Sequence, residues 1–173
     1  LKYGEAAETG QYSCRESQYL RFKYLAEISD LKGINILDFG CGTASFYDYL
    51  LKINQLPKKY LGIEIVDEFL EHCKNKIPDG SFHKPEEIEF LDYDYGFVSG
   101  VFNNLRNNNR NFWKDTVKTI YKYSRKGIAF NMMSTYVDYK DEVLFYESPE
   151  DAFTYVKKEI TPFVTLRHNY LVK

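Results

Sequence analysis

The stretch NILDFGCGTASFYDYL, residues 35–50, decides the fold. It begins as an apolar run, passes through Gly40 and Gly42, and continues with apolar residues at helical spacing. A strand, a glycine turn and a helix in this order are typical of nucleotide-binding α/β proteins. Glycines let the backbone come close to a ligand, and the start of a helix offers N–H groups that have no partner within the helix. The stretch therefore predicts a nucleotide site at the end of the first strand.

The composition is that of a globular protein without a strong bias in charge. The chain has 173 residues, of which 44% are hydrophobic and 28% are charged, and its formal net charge is −2. This length predicts one domain over residues 1–173. Because basic residues are not in excess, a nucleic-acid partner is not expected. Aromatic residues are frequent, at 17%, and indicate either ordinary packing or aromatic walls around a planar ligand.

Cysteine usage and apolar runs bear on the compartment. Cys14, Cys41 and Cys73 are far apart, and none belongs to a CxxC pair or to a zinc-like pattern with histidine. Such thiols are typical of a reducing compartment, so we expect a cytoplasmic protein. Residues 1–10 lack the apolar segment of a signal peptide, and no apolar run approaches about 18 residues, so no membrane association is expected. Because residue 1 is Leu and not Met, we expect further sequence upstream.

Helical and strand-like segments alternate along the chain. Apolar residues at helical spacing predict helices over 16–29, 44–53, 68–77, 112–123 and 149–159, the third with Asp67 as its N-cap. Short apolar runs predict strands over 34–39 and 60–65, around Phe82, and over 95–102, 127–133 and 163–167. The Asn-rich run 105–111 is predicted to be a solvated loop, and 134–146 a long connection. This alternation predicts an α/β fold with three layers, in which helices cover both faces of a mostly parallel sheet.

Three details bear on which nucleotide the glycine turn holds. A dinucleotide fingerprint needs a third glycine, but position 45 is Ser, and the turn lacks the lysine of a P-loop. Asp38 lies two residues before Gly40, where a buried acid repels a pyrophosphate and attracts an ammonium group. Glu64 follows the second strand, where a carboxylate can accept hydrogen bonds from both ribose hydroxyls. These details favour S-adenosylmethionine over a dinucleotide, and an NAD-dependent oxidoreductase stays as the less favoured alternative.

The same residues carry a resemblance to a known family. LDFGCGTA (37–44) resembles the first motif of the class I, seven-strand S-adenosylmethionine-dependent methyltransferases, with Ala44 in place of the third motif glycine. YLGIEIVDEFLEHCKNK (60–76) resembles their second motif. Three further segments resemble a small bacterial subgroup, namely ESQYLRF (16–22), SGVFN (99–103) and FNMMS (130–134). The resemblance extends over nearly the whole chain.

The resemblance implies a Rossmann-like fold, S-adenosylmethionine as the cofactor and S-adenosylhomocysteine as the product. It implies a helical N-terminal cover over about residues 1–32. The cofactor-binding residues that it implies are Asp38, Gly40, Cys41, Gly42, Glu64, Ile65, Ser99, Gly100 and Arg21, with Gln18 beside Arg21 as a further candidate. The family's sheet ends in an antiparallel strand, for which the residues after His168 are too few. We therefore expect this strand to be incomplete, which leaves a monomer and a homodimer open.

The methyl acceptor is constrained mainly by motifs that the sequence lacks. It has no (N/D/S)PP(Y/F) after the fourth strand, as exocyclic base amines require, and no Pro-Cys pair for base C5 chemistry. Clustered Asp and Asn ligands are also missing, so no metal is expected. A small polar metabolite remains, with oxygen as the favoured acceptor atom and nitrogen as a further option. A sugar or surface-glycan precursor is suggested only by the subgroup resemblance.

The sequence does not identify a catalytic residue. Candidates for a base or for a hydrogen-bond partner of the substrate are Asn103, Asn131, Tyr136 and His168. The segment 134–146 and the N-terminal helix are expected to cover the pocket, and tyrosines that could line it are Tyr12, Tyr136, Tyr139 and Tyr146. An alternative from another class is a non-catalytic partner subunit that binds the cofactor without methyl transfer.

Overall fold

In a computed structural model, residues 15–169 are described. The helices are α1 (Arg15–Ala26), α2 (Ser45–Lys52), α3 (Asp67–Lys76), α4 (Asn109–Tyr123) and α5 (Pro149–Glu159). The strands are β1 (Asn35–Phe39), β2 (Lys59–Ile63), β3 (Ser81–His83), β4 (Tyr93–Val98), β5 (Ser124–Phe130), β6 (Met133–Ser134) and β7 (Tyr146–Glu147). A 3-10 helix at Pro85–Phe90 links β3 to β4. None of the helices in this part of the chain is long and apolar enough to cross a membrane.

Five parallel strands form the main sheet, in the order β3-β2-β1-β4-β5. β1 lies at the centre, where Leu37 is paired with Leu61 of β2 on one side and with Gly96 of β4 on the other. The chain winds outward from β1 in one direction through β2 and β3, and then in the other through β4 and β5. This reversal creates a crevice beyond the carboxyl ends of β1 and β4, the place where open α/β sheets bind their ligands.

Two apolar layers cover the faces of the sheet, as the predicted three-layer α/β fold requires. One layer contains Phe22 of α1, Phe46 of α2 and Leu70 of α3, packed with β-strand residues such as Ile36. The other layer buries α4 and α5 against the opposite face, and the indole of Trp113 lies within it. Because neighbouring residues of a strand point to opposite faces, Ile36 and Leu37 belong to different layers. The sequence prediction of helices on both faces is confirmed.

The bounds of several elements differ from the prediction. β4 begins at Tyr93 and ends at Val98, and the chain then turns at Gly100, whose φ is +78°. β5 runs over Ser124–Phe130, three residues earlier than expected at each end. Asp67 is the first residue of α3 and not its N-cap, which is Val66 in an extended conformation. The Asp67 carboxylate contacts Lys84 Nζ at 2.6 Å instead.

The predicted strand at 163–167 is wrong. These residues belong to no helix or strand and pair with no strand among residues 15–169, and Phe163 is 91% exposed. The segment is tethered by side chains, since Arg167 forms an ion pair with Glu27 and lies over the ring of Tyr24. Its apolar residues gave the strand signal, but a strand also needs a neighbour that accepts its hydrogen bonds.

The connection 134–146 has a short strand at each end, β6 and β7, and these pair with each other in a two-stranded sheet. The Asn-rich run is only partly a solvated loop. Asn109 is buried, accepts a hydrogen bond from the amide of Arg106 at 2.6 Å and donates one to the carbonyl of Asn104 at 2.8 Å. It therefore fixes the loop that precedes α4.

Candidate active site

A cavity of about 320 Å³ lies at the carboxyl ends of β1, β2 and β4. Its wall includes residues 40–43 of the turn between β1 and α2, the residues that follow β2, and part of the loop that leads from β4 towards α4. The crevice expected where the strand order reverses is therefore present as a defined cavity. Eight of the nine predicted cofactor residues lie in its wall, all except Arg21, and Gln18 lies there with them. The eight are Asp38, Gly40, Cys41, Gly42, Glu64, Ile65, Ser99 and Gly100.

The glycine turn needs its glycines for two different reasons. Both residues have positive φ, +75° at Gly40 and +54° at Gly42, a region that side chains disfavour. A Cβ added to Gly40 would lie 2.3 Å from Val101 Cγ2, whereas one added to Gly42 would meet no atom within 4 Å. Gly40 thus permits close packing against the chain after β4. Gly42 leaves open space beside its backbone, which a bound ligand can use.

Ala44 occupies the third glycine position of the first motif. Its backbone is left-handed, with φ of 58° and ψ of 39°, and its side chain is fully buried just before α2. The family's glycine at this point is therefore explained by conformation, because glycine adopts this region without strain. This chain keeps the conformation with an alanine.

Asp38 is a buried acid with a single buried side-chain partner in the described structure. The hydroxyl of Tyr60 donates a hydrogen bond to its Oδ2. Burial raises the pKa of Asp38 to about 7, while the Tyr60 hydrogen bond acts in the lowering direction and the nearby charge of Glu64 in the raising direction. A cationic group beside Asp38 would favour the ionised carboxylate, so this position is suited to an ammonium group.

Glu64 joins the ends of β1 and β2. Its Oε2 accepts a hydrogen bond from the amide of Gly42 at 3.0 Å, and its Oε1 accepts from the amides of Ile65 at 2.7 Å and Val66 at 3.1 Å. A carboxylate has about four lone-pair positions, and the three amides use three of them, so Oε2 retains a position for a ligand hydroxyl. The amides hold the carboxylate still, and the neighbouring Ile65 is 66% exposed and offers an apolar surface.

Cys41 contributes its backbone and a neutral thiol. Its amide and that of Gly40 donate hydrogen bonds to the carbonyl of Ile63, at 3.0 and 2.8 Å. A hydrogen bond to Cys73, burial and the charge of Asp38 raise the pKa of the Cys41 thiol well above its usual range. Both cysteines are buried and free, and Cys14 lies outside the described residues. The thiol is therefore protonated and is not a nucleophile.

Asn131, one of the catalytic candidates, supports the turn after β4. Its Oδ1 accepts a hydrogen bond from the amide of Gly100 at 3.0 Å, and its Nδ2 donates one to Ser99 Oγ at 3.1 Å. Ser99 and Gly100 line the cavity, whereas Asn131 lies behind them. Asn131 is therefore placed to position this turn.

The other candidates lie outside the cavity wall. Asn103 is buried, and its backbone carbonyl accepts a hydrogen bond from the amide of Phe145. Tyr136 is 64% exposed and donates to Glu150, and His168 is bonded to Ser134 Oγ at 2.9 Å. Arg21 donates to Ser17 Oγ at 2.8 Å, one turn back on α1.

Among residues 15–169, no tyrosine lines this cavity. Tyr139 is largely exposed, and the hydroxyl of Tyr146 accepts a hydrogen bond from the amide of Asp141. Tyr136 is likewise absent from the described wall, and Tyr12 lies outside the described residues. The aromatic side chains that line the cavity are Phe22, Phe39, Phe46, Phe69 and Phe112.

Sequence reasoning missed two polar side chains of the site. Tyr60 is the buried partner of Asp38, and its place follows from the pairing of β2 beside β1, which brings the two strands' side chains to one face. Arg106 lines the cavity from the loop before α4. No sequence pattern predicts that Arg106 lines the cavity, because its position depends on the hydrogen bonds of Asn109 to this loop.

Comparison with known proteins agrees with this geometry. A central parallel sheet, a glycine turn after β1 and an acid after β2 define a nucleotide-cofactor enzyme of the α/β class. A family described as methyltransferase domain matches residues 37–127, more than half of the chain. The chain belongs to this family and is a class I S-adenosylmethionine-dependent methyltransferase. A search of curated proteins finds no match to the sequence.

Several solved structures share the fold. Magnesium protoporphyrin IX methyltransferase from Synechocystis PCC 6803, solved with bound S-adenosylhomocysteine, has a TM-score of 0.63 at 12% identity, over 82% of this chain and 72% of that one. An S-adenosylmethionine-dependent methyltransferase from Aquifex aeolicus has a TM-score of 0.56 at 16% identity, over 83% of this chain and 80% of that one. The [4+2]-cyclase SpnF has a TM-score of 0.61 at 14% identity, over 86% of this chain and 59% of that one. Because one of these is a cyclase, the fold alone does not specify the reaction.

The residues present fit the cofactor. S-Adenosylmethionine carries an ammonium group, a ribose and an adenine, and the cavity offers a buried acid, a fixed carboxylate and an exposed isoleucine in one wall. The open space beside Gly42 gives the ligand room at the turn. Among residues 15–169, no three His, Cys, Asp or Glu side chains group as ligands for a metal ion.

Proposed function

We propose that this methyltransferase transfers a methyl group to a small polar metabolite, at an oxygen atom. The observation that carries the proposal is the cavity of about 320 Å³, in which the glycine turn, two buried carboxyl groups and the polar end of β4 meet. Its volume is at the lower end of the range for small-ligand pockets, about 300–1,000 Å³. The segments shared with the bacterial subgroup favour a sugar or surface-glycan precursor as the acceptor.

We assign the cofactor-binding roles by chemistry. Asp38 would hold the ammonium group, and Glu64 would accept hydrogen bonds from the ribose hydroxyls, to which its fixed carboxylate is suited. Ile65 would cover one face of the adenine. Ser99 and Gly100 would border the transferred methyl group, and the backbone of the glycine turn, with Gly40, Cys41 and Gly42, would lie along the cofactor. Arg21 would act through α1, because it is bonded to Ser17.

The cofactor, when bound, supplies an electrophilic methyl group on a positively charged sulfur. The chain's own contribution is to align the acceptor and to exclude water from the site. Among the described side chains of the wall, Asp38, Cys41 and Glu64 are the ones that can take up a proton. Asp38 would be engaged by the ammonium group, and the Cys41 thiol is already protonated at neutral pH because its pKa is raised.

The acceptor atom follows from this lack of a free base in the described wall. A hydroxyl needs a base to remove its proton during transfer, whereas a carboxylate oxygen is ionised at neutral pH and needs none. Asn103 and Asn131 carry amides, which do not act as bases at neutral pH, and Tyr136 and His168 lie outside the wall. The arrangement therefore suits an acceptor oxygen that is already ionised, or one acidic enough to ionise readily.

The test is to follow S-adenosylhomocysteine release from S-adenosylmethionine with a panel of small acceptors. The panel should contain carboxylate, hydroxyl and amine versions of the same carbon skeletons. We expect release above the acceptor-free background with oxygen acceptors, and most with carboxylates. Release with amines alone would overturn the assignment to oxygen. Cofactor binding without release for any acceptor would favour the non-catalytic partner subunit.

A further inference from the structure

Arg106 is the one cationic side chain among the described residues that line the cavity. The acids of the wall, Asp38 and Glu64, belong to the turns after β1 and β2, whereas Arg106 belongs to the loop between β4 and α4. The arginine is exposed and therefore stands where the cavity meets solvent. A cation placed there would repel the positively charged sulfur of the cofactor unless an anion lay beside it.

The loop that carries Arg106 is fixed by hydrogen bonds on both sides. The buried side chain of Asn109 binds the Arg106 amide and the Asn104 carbonyl. The amide of Leu105 donates to the carbonyl of Val143 at 2.9 Å, and the carbonyl of Asn103 accepts from the amide of Phe145 at 2.7 Å. The backbone at 103–106 is thus held against the segment that leads into β7. Arg106 therefore extends from a rigid support.

The guanidinium also packs against an aromatic ring. Its central carbon lies 4.4 Å from the centroid of Phe112, which is itself in the cavity wall. Arg110, Arg125 and Arg167 each form an ion pair with a carboxylate, whereas no carboxylate within residues 15–169 is in ion-pair contact with Arg106. Stacking leaves the N–H groups at the edge of the guanidinium available, and these match an oxyanion in a bidentate geometry.

We propose that Arg106 binds an oxyanion, a carboxylate or a phosphate, that the methyl acceptor carries. The proposal deepens the proposed function and rests on it, because it names the chemical class of the acceptor. The ring of Phe112 holds the guanidinium over the mouth of the cavity, so that the oxyanion anchors the acceptor with its reacting atom towards Ser99 and Gly100. Neutral analogues of an acceptor are then poor substrates, since they leave the arginine without its partner.

The direct test uses the full chain loaded with S-adenosylhomocysteine and two simple probes, inorganic phosphate and acetate. Amide chemical shifts of residues 99–112 are followed by NMR during each titration. We expect saturable shifts in the wild type, and an affinity lower by about tenfold or more in Arg106→Gln, as for the loss of charged hydrogen bonds. Arg106→Lys should retain part of the affinity. The control is Lys118→Gln, which removes an exposed charge from α4 outside the cavity wall and should change nothing.

The two probes distinguish the two sources of the oxyanion. Stronger binding of acetate indicates a carboxylate acceptor, and stronger binding of phosphate indicates a phosphorylated one. No saturable shift with either probe, or equal shifts in wild type and Arg106→Gln, would overturn the proposal. If S-adenosylhomocysteine itself does not bind, the proposed function fails; if it binds and both anions do not, only the role of Arg106 fails.

The cofactor's own carboxylate is the competing partner for Arg106. Calorimetry with S-adenosylhomocysteine and with its decarboxylated analogue separates the two cases. We expect Arg106→Gln to leave the affinity for both compounds within about twofold of wild type, a difference below about 0.4 kcal/mol. A selective loss of affinity for S-adenosylhomocysteine, with the analogue unaffected, would assign Arg106 to the cofactor and contradict a role in acceptor binding.

Discussion

Asp38 and Tyr60 form a buried pair in which each residue changes the acidity of the other. Burial and the neighbouring acid raise the pKa of the Tyr60 hydroxyl, so this group stays protonated and donates to Asp38. That hydrogen bond favours the ionised carboxylate and opposes the effect of burial on Asp38. The carboxyl group is thereby kept near its midpoint at neutral pH, where a cationic ligand can shift it fully to the ionised form.

Cofactor affinity should therefore depend on pH. In the proposed arrangement the carboxylate form of Asp38 pairs with the ammonium group, and burial raises the pKa of Asp38 to about 7. Affinity for S-adenosylhomocysteine should rise with pH up to about 7 and then level off, and it should fall by about tenfold for each pH unit below 7. Calorimetry across this range measures the profile. An affinity independent of pH between about 5 and 8 would contradict the role of Asp38.

Tyr60→Phe should shift the pH dependence of S-adenosylhomocysteine binding to higher pH. The variant removes the hydrogen bond that favours the ionised carboxylate, so the pKa of Asp38 rises and the midpoint of the binding profile moves to higher pH. Affinity at neutral pH falls, but at higher pH it recovers towards the wild-type value. The matched control is Tyr93→Phe, which also removes a buried hydroxyl, there bonded to the carbonyl of Ile120. A loss of affinity that is equal at every pH would indicate damage to packing and not a change in Asp38.

Glu64 is predicted to contribute most of the binding energy at the ribose. Glu64→Gln removes the charge but keeps one oxygen for the amides of Gly42 or Ile65. We expect the affinity for S-adenosylhomocysteine to fall by about 1.5–3 kcal/mol for each hydrogen bond lost to the charged group. Glu68→Gln, at an exposed acid in the first turn of α3, is the matched control. Unchanged affinity in Glu64→Gln would show that the ribose assignment is wrong.

Alanine variants of Gly33 and Gly42 distinguish the effect of backbone strain from the effect of contact with a ligand. Gly33 and Gly42 both have positive φ, and a Cβ at either position meets no atom within 4 Å, but only Gly42 lines the cavity. Each Gly→Ala variant should lose about 1–2 kcal/mol of stability from left-handed strain. Only Gly42→Ala should also weaken S-adenosylhomocysteine binding, as measured by calorimetry on folded protein. Equal affinities in the two variants would mean that the cofactor does not lie against Gly42.

Glu147 ties β7 to two helices. Its buried carboxylate accepts hydrogen bonds from Trp113 Nε1 at 3.0 Å and Arg110 Nη2 at 2.8 Å on α4, and from the amide of Ser148 at 3.1 Å. Ser148 in turn caps α5 by accepting a hydrogen bond from the amide of Asp151. The carboxylate thus fixes the segment beside which the Arg106 loop is held.

Glu147→Ala should therefore destabilise the fold. The indole N–H of Trp113 would lose its buried partner, which costs about 1–3 kcal/mol in the free energy of unfolding. Arg110→Gln should cost less, about 0–1 kcal/mol, because Arg110 is largely exposed. Urea denaturation compares the two variants. A smaller effect for Glu147→Ala than for Arg110→Gln would contradict the assignment of the buried indole hydrogen bond as the main contribution.

At the scale of the whole molecule, the features that depend on a short stretch of sequence could be predicted. The run before Gly40 and the acid at Glu64 predicted the central strands and residues that line the cavity, because they lie within 30 residues of one another. The strand predicted at 163–167 failed for the opposite reason. Pairing depends on a neighbour distant in sequence, and no local pattern reveals whether that neighbour is present.

The residues on the acceptor side of the cavity could not be predicted from sequence, because contacts between distant segments place them there. Arg106 enters the cavity wall because Asn109 folds the Asn-rich run back on itself, and Tyr136 and His168 lie outside it although their residue types suit catalysis. Side-chain chemistry alone favoured the two catalytic candidates. Their positions depend on the path of a long connection, which is set by contacts such as those of Glu147 and Val143.

The most direct test of the account is a calorimetric titration of the full chain with S-adenosylmethionine, S-adenosylhomocysteine and NAD. The buried Asp38 and the fixed carboxylate of Glu64 suit the first two ligands, and the turn lacks the third glycine of a dinucleotide site. We predict dissociation constants in the micromolar range for the two S-adenosyl compounds and no measurable binding of NAD. Tight binding of NAD with no response to either S-adenosyl compound would contradict the assignment of the site.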